Sequence, residues 1–293
     1  MNAPKTLQEA IQFFSEFKNC RLFMLAARWP DGKIRCPYCG TEKVTYLEKA
    51  KLYRCYGDHP TQKFSLKVGT VFEDSPIPLE KWLPAVWMLV NCRNGVSSWE
   101  LHRALGVTQK SAWFMLHRIR LAVQSGTFRK MGGPGGEVEA DEAFVGGKAK
   151  NMHGKRRAAM REARNACLQG DTRLIGKAAV MGILDRDQRK VRATVVPAVN
   201  RETLQAEILK HVEHGSRIYT DEAALYRSLP KTYTHEFVNH LERYVDGRVH
   251  TNGLENFWSL LKRGLHGTYV AVEPFHLFRY VDEQVVPLQQ PET

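Results

Sequence analysis

Three acidic residues in the C-terminal half stand where their surroundings do not call for charge. Asp141 lies in EVEADEAFVGG, an apolar, strand-like run that also holds Glu139 and Glu142. Asp221 follows Ile218 and Tyr219 at the tip of a short strand in RIYTDEAALYRSL. Glu255 lies in HTNGLENFWSLLKR, beside an apolar helical stripe of Leu254, Phe257, Trp258 and Leu261, with Lys262 two turns further on. Between Asp141 and Asp221 lie 79 residues, and between Asp221 and Glu255 lie 33. Singly, a strand-end Asp is most often a turn or cap residue and a helix Glu a solvated one. Together, two strand-borne aspartates and a helix-borne glutamate can converge on paired divalent ions. Mg²⁺ takes carboxylate oxygens and keeps positions open for water and phosphate. Two such ions, about 4 Å apart, activate a nucleophile and stabilise the leaving oxygen of a phosphodiester. Asp141 is therefore expected to be a metal ligand on a central strand.

A second constellation lies near the N-terminus. CPYCG sets Cys36 and Cys39 two residues apart, a knuckle that aims two thiolates at one ion, and YRCYGDHP adds Cys55 and His59. Together they form a Cys₃His set suited to structural, tetrahedral Zn²⁺, with Asp58 an alternative to His59. A region this small has little core, so the metal would supply folding energy directly. The other cysteines, Cys20, Cys92 and Cys167, are scattered through helix-like text. The N-terminus lacks a basic start, an apolar stretch and a small-residue cleavage site, so no export is expected and metal binding outranks a disulfide framework. Lys33, Arg35, Lys43, Lys51 and Arg54 surround the cluster and suit contact with DNA.

Between these two regions, SSWELHRALGVTQKSAWFMLHRIRLAV has the rhythm of a helix-turn-helix. Trp99, Leu101 and Leu105 line one helix, LGVT is the turn, and Thr108 can cap the next helix. Ala112, Met115, Leu116 and Ile119 form its buried face. Gln109, Lys110, Ser111, His117, Arg118 and Arg120 are expected to face outward. The first three are types that read base edges from a recognition helix.

These stations need elements to hold them. Apolar spacing predicts a helix or helix pair over 5–29, small strands over 34–72 and helices over 79–125. MGGPGG, residues 131–136, reads as a flexible break. Beyond it, strands are expected at 137–145, 176–185, 190–197 and 216–220, with helices at 201–213 and from Asn252 through Lys262. The charged run 148–164 reads as a basic loop. This gives N-terminal helices and a zinc ribbon over 1–75, a helix-turn-helix-like segment over 76–130 and an α/β catalytic domain over 131–285. The net charge of +12 and pI of about 9.5 favour a polyanionic partner, nucleic acid first. No run approaches 18 uncharged apolar residues, so no transmembrane helix is expected.

The motifs CPYCG, FSLKVGTVFEDSPIPLEKW, EADEAFVGGK, YTDEAALY and HTNGLENFWSLLKRGLHGTY, spread over nearly the whole chain, resemble those of bacterial insertion-sequence transposases with an ISXO2-like DDE domain. The resemblance implies an RNase H-like mixed-sheet catalytic domain, Mg²⁺ or Mn²⁺, and cut-and-join chemistry. Cleavage would fall at inverted-repeat ends, and the freed 3′-OH would join target DNA. It further implies that the zinc ribbon helps recognise those ends. The first two acids of the family fall on Asp141 and Asp221. The third position varies between Glu and Asn in this family; Glu255 fits by its spacing from Asp221, and Asn252 lies one helical turn away. By the same pattern Lys262 would bind the phosphate of the DNA end, with Arg263 beside it, and His250 can approach the site. The expected partner is double-stranded DNA bound by a homo-oligomer, in the cytoplasm and at the nucleoid. A metal-dependent nuclease without strand transfer and a non-catalytic DNA-binding regulator are the rival readings.

Overall fold

The computed structural model describes residues 4–123, 130–147, 153–155, 157–159, 162, 177–221, 225–226, 228–237, 250–270 and 272–288. They divide into two compact units: Met1–Cys92 with Val96–Ala122, and Arg93–Gly95 with Val123–Thr293.

The first unit begins with α1, Leu7–Phe14, closed at its start by a reciprocal capping box between Thr6 and Glu9. A break at Ser15 and Glu16 separates it from α2, Phe17–Arg28, so the expected helix is a pair. Three short antiparallel strands follow in the order β1 (Val44–Leu47), β2 (Leu52–Cys55) and β3 (Lys63–Phe64). Three helices complete the unit. They are α3 (Leu79–Asn91), α4 (Ser98–Leu105, with a Ser97–Glu100 capping box) and α5 (Gln109–Val123). Gly106 ends α4 with a left-handed φ of 61°, a conformation that favours glycine. Phe14, Tyr53, Phe64, Trp82, Leu89, Leu101 and Met115 are buried in the core.

The structure corrects the expected outward face of α5. His117 and Arg120 are buried, and Arg118 is half-buried, donating to the carbonyl of Glu73 at 2.6 Å. The helix buries a wider arc than its apolar stripe, so basic residues flanking the stripe are enclosed. Trp113 and Phe114 stay exposed instead.

In the second unit a five-stranded sheet runs in the order β10-β9-β5-β6-β7. Its strands are β5 (Glu137–Val145), β6 (Ala178–Asp185), β7 (Lys190–Val196), β9 (Arg217–Thr220) and β10 (Thr234–Phe237). β5, β6 and β7 are antiparallel; β9 is parallel to β5, and β10 to β9. This is the RNase H-like mixed sheet. α6, Arg201–His211, packs on one face, with Leu204 and Ile208 against Val138, Ala140, Met181 and Ile218. α7 (Asn252–Arg263) and α8 (Leu277–Leu288) pack on the other, against Ala143, Val145, Val180 and Val191. Alternate residues of β5 thus serve opposite faces, as the period of two requires.

MGGPGG is not a loose break. Met131–Gly132 forms β4, parallel to β8 (Val212–Glu213), and Gly133 donates to Ser216 Oγ at 2.9 Å. Strand β10 and helix α8 went unforeseen. THEF is too short and polar for a clear alternation, and α8 buries Glu283 and Gln284, which blunts its stripe. Tyr269 donates to Glu283 and Gln284 donates to the carbonyl of Arg93, which makes that burial tolerable. Most of the basic run 148–164 lies outside the described residues. Among the described residues, no helix is long and apolar enough to cross a membrane.

Candidate active site

The sheet register aligns the two aspartates. β5 and β9 pair in parallel with Glu137 opposite Arg217, Val138 opposite Ile218 and Glu139 opposite Tyr219. Continued by two residues, that register sets Asp141 beside Asp221, which directly follows β9. Asp141 shares the α7 side of β5 with Glu139 and Ala143. Its Oδ2 accepts from the indole Nε1 of Trp258 at 2.8 Å, and its Oδ1 accepts from the backbone N–H of Glu142 at 2.8 Å.

Trp258 can lie there because Gly182, the partner of Asp141 on β6, has no side chain. A Cβ at Gly182 would meet the Trp258 ring at 2.7 and 2.9 Å and Leu254 at 3.0 Å. A rigid indole cannot give by that much, so Gly182→Ala is expected to lower the stability of this unit by about 1–3 kcal/mol. Chemical denaturation measures it, and an unchanged midpoint would mean that α7 is seated by other contacts.

α7 brings the third acid. Glu255 precedes Trp258 by three residues and Lys262 follows it by four, so the three share one side of the helix. The middle member touches Asp141. Asn252, the first residue of α7, precedes Glu255 by one turn and is exposed, as are Glu255, Lys262 and Arg263. Burial pushes the Asp141 carboxyl up to about 6, and the negative charges of Asp221 and Glu255 push it the same way. The Trp258 and Glu142 hydrogen bonds oppose the shift. Acids from two other stretches of chain therefore act on the Asp141 carboxylate. His250 lies just before α7, with its Nδ1 2.9 Å from Arg186 and 3.7 Å from Glu139. From sequence Trp258 reads only as part of the apolar stripe, and Gly182 and Arg186 carry no signal of a role here. An indole in a helical stripe looks like core, and a glycine within a strand carries no mark of what lies above it.

In the first unit, Cys36, Cys39, Cys55 and His59 lie together, their ligand atoms all within 4.8 Å of one another; Asp58 is not in this group. Cys36 Sγ stands 3.4 Å from His59 Nε2 and Cys39 Sγ stands 3.6 Å from Cys55 Sγ. Burial works to raise the Cys36 thiol, yet hydrogen bonds from the backbone N–H groups of Tyr38 and Cys39 and from the Cys55 and Cys39 side chains together hold it below the usual thiol range. Burial pushes Cys55 up to about 11, so a metal must displace its proton. Three soft thiolates and an imidazole in this space fit a tetrahedral Zn²⁺.

At the start of α5, Lys110 is exposed. The N–H of Ser111 is capped by Thr108 Oγ1 at 3.1 Å, and half-buried Gln109 donates to Ser98 Oγ at 2.9 Å.

Two family models match the chain: an ISXO2-like transposase domain over residues 134–285, just over half of it, and a transposase zinc-ribbon domain over residues 16–57. An uncharacterised protein in transposable element ISH50 of Halobacterium salinarum is 27% identical over 258 residues, covering 86% of this chain and 84% of its own length. A chain in the cryo-EM structure of the simian T-cell lymphotropic virus intasome in complex with PP2A regulatory subunit B56 gamma is 15% identical, with a TM-score of 0.28. That likeness covers 63% of each chain and carries no argument about either unit.

Proposed function

Because this chain belongs to the ISXO2-like transposase family, we propose that it is a DDE-type polynucleotidyl transferase. It cleaves DNA at the inverted-repeat ends of an insertion sequence and joins the freed 3′-OH to target DNA. The observation that carries this reading is geometric: the β5–β9 register continued by two residues sets Asp221 beside Asp141, and α7, which bears Glu255, is seated on Asp141 through Trp258. Carboxylates gathered in this way disfavour one another's ionised forms unless a cation offsets them.

Their oxygens are the donors that Mg²⁺ or Mn²⁺ prefers, and a cation beside Asp141 would favour the ionised carboxyl that burial first, and the acidic neighbours after it, disfavour. When bound, a pair of such ions supplies the charge that activates the attacking oxygen and stabilises the leaving one. The protein binds and orients. Asp141 and Asp221 hold from the sheet, Glu255 holds from α7, and Trp258 fixes the Asp141 carboxylate by its N–H. Glu255 is the better third ligand, because it carries a charge that reaches Asp141 and lies one turn from Trp258, whereas Asn252 lies a further turn away and is neutral. Lys262 and Arg263, exposed at the far end of α7, suit backbone phosphate and would make binding fall with salt. Lys110 and Ser111 of α5, with the zinc ribbon, suit recognition of the ends by an oligomer that pairs two of them. Gln109 and Arg118 contribute less, since both are engaged within their own unit.

The test is incubation of the full chain with end-bearing duplex and Mg²⁺, followed by a search for nicked ends and joined products. Cleavage without joining identifies a nuclease, and end binding without cleavage identifies a regulator. Either result overturns the transposase reading.

The state of Asp141 adds a pH prediction. Its folded value of about 6 lies above the ordinary 3.8, so in metal-free protein its stabilising contribution is full at low pH and is lost as pH rises through 6. A cation binds the ionised form, so apparent Mg²⁺ affinity is expected to fall about tenfold per pH unit below 6. The rise in melting temperature on adding Mg²⁺ should therefore be larger at pH 7.5 than at pH 5. Equal rises at the two pH values would place the ion elsewhere.

A further inference from the structure

Two residues before Asp141, on the same face of β5, Glu139 is almost fully buried. Its two oxygens serve different partners. Oε1 accepts from Arg186 Nε at 2.8 Å, and Oε2 accepts from the backbone N–H of Leu254 at 2.9 Å. Leu254 is the third residue of α7, and Thr251 at the N-cap makes no side-chain cap. The helix start is thus capped from a strand 115 residues away. Arg186 in turn donates to the carbonyl of His250 at 2.6 Å, reaches Glu137 at 3.4 Å and lies 4.4 Å from the centre of the Tyr219 ring. A Cβ at Gly253 would fall 2.9 Å from Glu139 Oε2, so the first turn of α7 approaches this closely only as glycine.

Adhesion alone does not explain this arrangement. Leu254, Phe257 and Leu261 are each buried almost completely, and their stripe supplies most of what holds α7 to the sheet. Apolar contact is non-directional, however, and permits a helix to slide or roll. A buried ion pair adds little net stability over an apolar pair of the same shape. Charge-assisted bonds to a backbone N–H and a backbone carbonyl, by contrast, have defined lengths and directions. A carboxylate at a helix N-terminus is also favoured by the helix dipole.

We propose that the Glu139–Arg186 pair is a positioning device: it fixes the first turn of α7 on β5, and so sets Glu255 over Asp141 and Asp221 before any cation arrives. This rests on the reading of those three acids as the cation-binding set. Without the pair, α7 stays docked by its stripe, and the cation must draw Glu255 into place at a cost in affinity.

The experiment measures single-turnover cleavage of end-bearing duplex by the full chain as Mg²⁺ is varied, for wild type, Glu139→Gln and Arg186→Lys. Gln keeps an acceptor for the Leu254 N–H but ends the ion pair; Lys keeps the charge but loses the fork that spans Glu139 and His250. Half-saturating Mg²⁺ is expected to rise about tenfold in both variants, with end binding within about twofold of wild type. A purely structural role would reduce the active fraction at every Mg²⁺ concentration and leave the midpoint unmoved, and that result overturns the proposal. So does loss of folded protein in both variants, because the pair would then serve stability alone. If wild type itself fails to cleave at any Mg²⁺ concentration, the enzymatic reading has failed, and the positioning role goes with it.

Discussion

Replacing Asp221 by alanine is expected to abolish strand cleavage, a loss on the order of 10³-fold or roughly 4 kcal/mol of transition-state stabilisation, while end binding stays within about twofold. The physical basis is the register of β5 and β9, which brings Asp221 level with Asp141. Asp221 directly follows β9 and is partly exposed, so its removal leaves the apolar clusters of the sheet untouched. Taking away its charge also relieves Asp141, whose pKa should fall. The variant should therefore fold at least as well as wild type without Mg²⁺ while responding less to it. That combination, unchanged folding with lost cleavage and lost Mg²⁺ stabilisation, is hard to mimic by general damage. Glu255→Gln should behave in the same way, whereas Asn252→Ala should retain cleavage within about tenfold of wild type. A reversal of that order would make Asn252 the third ligand. Full cleavage by Asp221→Ala would remove the metal-site reading altogether.

How much of this was legible in the sequence varies with the physics behind each element. Strands β5, β6, β7 and β9 were readable because each is a run of apolar or alternating residues with β-branched members, bounded by glycine or charge. α7 was readable because its stripe repeats at helical spacing. The acids stood out because burial makes charge costly: a carboxylate inside an apolar run needs a reason. What stayed hidden depends on contact between distant segments. Glu139 was visible as an acid, but nothing local says that its partners are Arg186, 47 residues on, and the backbone of Leu254. Gly182 needs no conformational freedom; it is required only because Trp258 lies above it. The buried His117 and Arg120 of α5 make the same point in reverse. Basic side chains flanking an apolar stripe read as the solvent face, and tertiary enclosure overrides that expectation.

Removing zinc with a strong chelator is expected to unfold the knuckles around Cys36, Cys39, Cys55 and His59 and to cost the chain its recognition of DNA ends, while leaving the rest of the first unit standing. The scale of the metal's contribution decides this. Structural Zn²⁺ sites of this kind supply about 10–16 kcal/mol to small domains, far more than three strands of two to four residues can gather from their own contacts. Yet the sheet behind the knuckles is tied to α2. Arg21 lies 3.8 Å over the Tyr46 ring and donates to the Tyr53 hydroxyl at 3.0 Å, and Tyr53 stacks on Phe64 with centroids 5.4 Å apart. Loss of metal should thus raise amide exchange over 36–41 and 55–59 by several orders of magnitude while Tyr53 and α2 stay protected. Cys36→Ser should reproduce the chelated state. His59→Ala should weaken zinc at least about tenfold, because the imidazole closes the set from 3.4 Å beside Cys36. Asp58→Ala should leave zinc content at one ion per chain; a loss of zinc there with His59→Ala unaffected would transfer the fourth ligand to Asp58. Cation binding at Asp141 should survive selective chelation of zinc, since the proposed oxygen ligands, Asp141, Asp221 and Glu255, all belong to the second unit. Full end recognition by the zinc-free chain would shift that role from the ribbon to α5 and its exposed Lys110.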